Sequence, residues 1–105
     1  MTDTQQFLYV LKPVRLGMVT EGPNAEESPV LAQHAAYLED LTEAGTVVLF
    51  GRTQNADATG FGLVIFEAES EQAAEQTMRN DPAVQHNLMQ ATLFPYRIAG
   101  MWRER

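Results

Sequence analysis

The chain has 105 residues, enough for one domain over 1–105 whose core needs no covalent staples. It has no cysteine, which excludes disulfides, thiol nucleophiles and cysteine-ligated metals. Acidic residues number 14 against 7 basic ones, and the net charge of -7 argues against partners such as nucleic acid or an anionic membrane surface. No apolar run is long enough to span a bilayer. Met1 to Gln6 are polar and lack a basic end followed by an apolar stretch, so no signal peptide is expected and a cytoplasmic location follows by default.

Phe7 to Leu11 is a nearly unbroken apolar run whose length and content predict a first strand, ended by Lys12-Pro13. Arg15, Gly17, Gly22, Pro23 and Asn24 mark a long loop, the expected lid or rim of any pocket. A helix is predicted from about Pro29 to Ala44, with Ser28 as its cap, Pro29 in the first turn and Gly45 as its stop. Leu31, His34, Ala35, Leu38, Leu41 and Thr42 recur at helical spacing and form one mostly apolar stripe. Thr46 to Phe50, ended by Gly51, predicts a second strand. Phe61 to Glu67 predicts a third, antiparallel to it through the polar, turn-prone segment Arg52 to Gly60. Ser70 caps a second helix from Glu71 to about Arg79, and Asp81-Pro82 starts a short one reaching about Met89. Ala91 to Trp102 reads as the last strand, in which Pro95 implies an edge or a bulge.

The order β-α-β-β-α-β predicts an α+β domain of ferredoxin-like type, with its helices on one face of the sheet. Val47 to Phe50, Leu63 to Phe66 and Phe7 to Leu11 are apolar at both parities, whereas a half-exposed sheet alternates apolar with polar. The second face is therefore expected to be covered as well. Nothing left in the chain is large enough, so a homodimer with sheets packed face to face is the simplest cover.

With these elements in place the chain resembles the YCII-related family. The matching residues are Phe7-Leu8-Tyr9-Val10-Leu11, Arg15 in the loop that follows, and His34 with Tyr37-Leu38 and Leu41 on a helix stopped by Gly45. Gly51, the run Gly62 to Ala68 and Asp81-Pro82-Ala83-Val84 complete them, so the likeness covers about Phe7 to Trp102. The resemblance implies a dimeric α+β barrel, similar to muconolactone-isomerase-like proteins. It also implies an active site with a catalytic His-Asp pair, which maps onto His34 and Asp81. Some relatives are associated with removing chloride from chlorinated aromatic or lactone intermediates.

The residues themselves leave plainer alternatives open. His34 sits between Leu31 and Leu38 on the apolar stripe, where imidazole can act as general base or acid; a core histidine satisfied by a backbone carbonyl would look the same. Asp81 before Pro82 is an ordinary helix start, yet a capping carboxylate can also hold a histidine in one tautomer. Arg15 could bind a substrate carboxylate, or lie solvated in its loop, and Arg52 has the same two readings. Tyr9, Tyr37 and Phe66 could line a pocket for a flat substrate, or belong to core or interface. His86 reads as surface, and two distant histidines do not argue for a metal site. No glycine-rich phosphate loop and no serine nucleophile elbow appear.

The function expected from this is a small enzyme without cofactor, a lyase or isomerase, possessing a pocket for a small acidic or aromatic metabolite. His34 would move a proton beside a carbonyl or bound halogen, Asp81 would orient His34, and Arg15 would hold an anionic group. A binding or sensor module without turnover is one alternative. An accessory dimer is another, and it predicts that His34 and Asp81 lie far apart.

Overall fold

The computed structural model describes residues 4–102, so Met1, Thr2 and Asp3, on which the signal-peptide expectation partly rests, lie outside the described residues. The described chain forms β1 (Gln5–Pro13), α1 (Gly17–Thr20), α2 (Glu27–Glu43), β2 (Val47–Arg52), β3 (Gly62–Ala68), α3 (Glu71–Arg79), α4 (Pro82–Gln85) and β4 (Met89–Tyr96). It is a small α+β fold. Its four strands make one antiparallel sheet in the order β2-β3-β1-β4. Among the described residues no helix is long and apolar enough to cross a membrane.

Parity along the strands sets the core. Phe7, Tyr9 and Leu11 point to one face of β1, and Val64 and Phe66 join them from β3. Leu38 of α2 with Ala74 and Met78 of α3 cover that face, so both longer helices lie on the same side. Phe66 packs at the centre, its ring centroid 5.6 Å from that of Tyr9 in an edge-on contact.

The opposite face is apolar through its middle, as the strand composition predicts, and polar toward Gln6 and Glu67 at one end and Lys12 and Gln90 at the other. Register carries a row across all four strands: Leu49 pairs with Ile65, Ile65 with Leu8, and Leu8 with Phe94. Val10 and Leu63 form the neighbouring row. No helix covers these side chains, and Leu49 and Phe94 are 48% and 45% exposed.

Several boundaries differ from the sequence expectation. The strand predicted to end before Gly51 continues through Gly51 and Arg52, because both pair with β3. Pairing shifts between Val47 and Leu49, a bulge that simple alternation does not announce. The last strand stops at Tyr96, and Trp102 beyond it is 75% exposed. Helix α2 begins at Glu27, earlier than Pro29, and Ser28 is not its cap. Asn24 serves instead: its Oδ1 accepts from the N–H groups of Glu26 and Glu27. Ser70 caps α3 as expected, accepting from Ala73 N–H at 3.0 Å.

Candidate functional site

Asp81 lies where α3 hands over to α4. Its backbone is extended, Pro82 occupies the first turn of α4, and its Oδ1 accepts from Ala83 N–H at 3.0 Å. The capping reading of Asp81 is therefore realised. The same carboxylate is completely buried and faces α2, where His34 Nδ1 stands 2.6 Å from Oδ1. Its second oxygen accepts from the Tyr9 hydroxyl at 2.8 Å. Cap and histidine contact thus coexist in one side chain.

These partners set the hydrogen-bonding roles in the cluster. A carboxylate that accepts from Tyr9 and from Ala83 N–H presents acceptors only, so the ring nitrogen facing it must donate. His34 then donates through Nδ1, and Nε2 lies on the opposite edge of the ring. Tyr9 remains a donor because burial, and next the charge of Asp81, push its phenol well above the ordinary range. The Tyr37 hydroxyl, also raised by burial, donates to Thr77 O at 2.7 Å and ties α2 to α3. Among the described residues no buried side-chain nitrogen or oxygen lacks a partner.

His34 lines a cavity of about 480 Å³, a size suited to a small organic molecule. Leu11, Met18, Leu31, Phe61 and Met89 give it apolar walls, and Arg52, Thr53, Gln54 and Asn55 give it a polar side. Gly60, at the end of the β2–β3 loop, also borders it. A Cβ at Gly60 would meet the carbonyl oxygen of Asn55 at 2.9 Å, so this loop closes only around glycine.

The remaining expected site residues fall elsewhere. Tyr9, Tyr37 and Phe66 do not line the cavity. Tyr9 and Phe66 are packed in the core, and the hydroxyls of Tyr9 and Tyr37 are engaged by Asp81 and Thr77. Arg15 does not line it either, and its side chain is engaged in an ion pair. Its Nε and Nη2 donate to the two Glu27 oxygens at 2.9 and 2.6 Å. The guanidinium lies over Gly17, where a Cβ would meet Nη1. Arg15 thereby closes the β1–α2 loop, which contributes Met18, Val19 and Pro23 to the cavity wall. Arg52, by contrast, does border the cavity, and His86 is exposed as expected. Among the described residues no group of three or more His, Cys, Asp or Glu could hold a metal ion.

Two contacts lie outside the sequence expectation. The hydroxyl of Tyr9 was announced by parity, since a tyrosine in register with Phe7 and Leu11 must find a buried partner. The Glu27 partner of Arg15 had no comparable signal, because the helix start was misplaced by two residues. Hydrogen bonds from Arg15, and next from Asn24 N–H, hold the Glu27 carboxyl down at about 2 against an ordinary value of 4.5. A carboxylate with a depressed folded value stabilises the fold above its ordinary value and loses that contribution as pH falls toward the folded one. Acidification from 4.5 to about 2 is therefore expected to loosen the β1–α2 loop. Amide shifts of Asn24 and Glu27 followed by NMR should titrate with a midpoint near 2, and a midpoint near 4.5 would contradict the clasp.

The YCII-related domain matches residues 12–96. No curated protein matches the chain. Among solved structures, the 5-chloro-2-hydroxyhydroquinone dehydrochlorinase of Burkholderia phenoliruptrix AC1100, in complex with 2,5-dihydroxybenzoquinone, superposes with a TM-score of 0.61 at 23% identity. That match covers 87% of this chain and 93% of the dehydrochlorinase. An uncharacterized protein of Thermotoga maritima superposes with a TM-score of 0.55 at 8% identity, over 90% of this chain and all (100%) of the other. At these identities the likeness shows a shared fold.

Proposed function

Because the chain belongs to the YCII-related domain family, we propose that it is a small enzyme of lyase or isomerase type, with His34 as its proton-transfer residue. The observation that carries this is the His34–Asp81 contact of 2.6 Å at the wall of a partly open cavity. That contact supports an active or ligand-binding site over a purely accessory role. Asp81 and Tyr9 are positioning residues: they hold the ring so that Nε2 is the free base.

Halide elimination suits this outline. Nε2 takes a proton from a carbon of the substrate, the C–H electron pair becomes a new double bond, and the neighbouring halogen leaves as halide with its bonding pair. Such a step needs one base and a cavity shielded from water, and the outline calls for no cofactor. An isomerase would use the first half of the same sequence and return the proton to another atom. The dehydrochlorinase with the similar fold supports considering halogenated rings as substrates.

The assembly belongs to the same reading. The order β2-β3-β1-β4 supports a ferredoxin-like domain, and the uncovered apolar rows support a dimeric α+β barrel formed by apposed sheets.

The test is incubation of the protein in deuterated water with a panel of small carbonyl acids and halogenated phenols. Deuterium uptake at carbon or release of halide is expected with at least one compound. Saturable binding without either would favour a binding module, and the enzyme reading would fail.

A further inference from the structure

We propose that Arg52 is the anion-recognising residue of the His34 cavity, and that its ligand is a small, largely apolar molecule bearing one carboxylate. This deepens the reading above and rests on that cavity being the substrate site.

The chain carries 14 acidic residues, yet none of the residues bordering the cavity is acidic. In a molecule of net charge -7, a lining whose one formally charged residue is Arg52 is a local reversal of sign. Among the described residues Arg52 forms no ion pair and no side-chain hydrogen bond. Arg15 is committed to Glu27, and Arg79 stands beside Glu75. Arg52, an exposed residue at the cavity rim, is therefore the arginine left available to this site.

Its position is built. Arg52 is the last residue of β2, paired with Gly62 of β3, so its backbone belongs to the sheet. The loop beyond is closed by Thr53 N–H to Phe61 O at 2.9 Å and by Phe61 N–H to the Thr53 hydroxyl at 3.0 Å. Asp57, the nearest acid in that loop, is engaged by Asn55 and Thr59 and does not border the cavity. The apolar walls take the body of the ligand, and Arg52 offers parallel donors matched to a carboxylate. His34, bordering the same space from α2, is left to address another atom of the ligand.

The experiment compares benzoate with its neutral isostere benzamide by NMR titration of the whole protein, following the amides of Gly60 and Gly62 and the His34 ring. Benzoate is expected to bind about tenfold more tightly than benzamide or better, the scale of one charge-assisted contact. Arg52→Gln should bring benzoate down to the benzamide level, and Arg52→Lys should restore part of the preference. Unchanged spectra away from the cavity report that each variant is folded. Equal binding of the two probes to the unaltered protein, a preference that survives Arg52→Gln, or no cavity response to either probe would each overturn the proposal. Deuterium uptake or halide release from a neutral substrate, alongside such a result, would leave the enzyme reading standing while anion recognition fell.

Discussion

Substituting His34 by alanine is expected to lower turnover by about 100- to 10,000-fold on any substrate the protein converts, the usual contribution of a positioned general base. The fold should survive. Asp81 keeps the Tyr9 hydroxyl and Ala83 N–H, and water entering from the cavity can occupy the vacated place. The loss of one of three buried contacts sets the stability cost at about 1–3 kcal/mol. Asp81→Asn makes a sharper comparison. Three donors now converge on two carboxylate oxygens: Tyr9 O–H, His34 Nδ1–H and Ala83 N–H. An amide has one oxygen and one NH2, so one of the three donors must turn away or become an acceptor. Rotation of the amide would relieve Tyr9 at the expense of the α4 cap and would swing the His34 proton to Nε2. Nitrogen shifts of the His34 ring should show that change of tautomer, and kinetics should show a loss comparable to that of His34→Ala. Turnover in His34→Ala within about twofold of the parent would remove His34 from the mechanism, being far below the effect of a general base.

Ile65→Lys should convert the proposed dimer to a monomer. Ile65 stands near the centre of the row that runs from Leu49 through Leu8 to Phe94, on the face no helix covers. In a two-fold interface each substitution counts twice. Losing a buried isoleucine at about 1.5–3 kcal/mol per copy weakens association by about 3–6 kcal/mol, or roughly 100- to 10,000-fold. The lysine ammonium would add a desolvation cost to that. The monomer itself should keep its thermal stability, because its own core lies on the other face with Phe7, Tyr9 and Phe66. Scattering mass at several concentrations decides the matter. A parent protein that is already monomeric at all of them would leave the apolar rows without the proposed cover.

Much of the fold could be read from the sequence because local chemistry and tertiary placement agree. Ser70 caps a helix wherever that helix packs, and Asp81-Pro82 starts one for the same local reason. The apolar runs at both parities translate directly into a sheet that is greasy on two faces. The His-Asp pair was readable only through the likeness to a family, since nothing in the spacing of residues 34 and 81 brings them together. What stayed hidden depended on the path of the long β1–α2 loop. Its short helix α1, the capping by Asn24 and the Arg15–Glu27 clasp are each decided by partners that sequence patterns do not pair. The extension of β2 to Arg52 was hidden for a different reason. Glycine at 51 looks like a stop, but pairing with β3 carries the strand past it and delivers the arginine to the cavity.

Both outer margins of the sheet are spoiled for ladder growth. β4, on one side, contains Pro95, which has no N–H to offer a newcomer, and β2, on the other, is thrown out of step between Val47 and Leu49. An incoming segment from a stray chain would find neither border continuous. Copies of this molecule are thereby steered away from open-ended, ribbon-like stacking at high concentration, and the uncapped apolar side can be retained without inviting fibre formation along its rims.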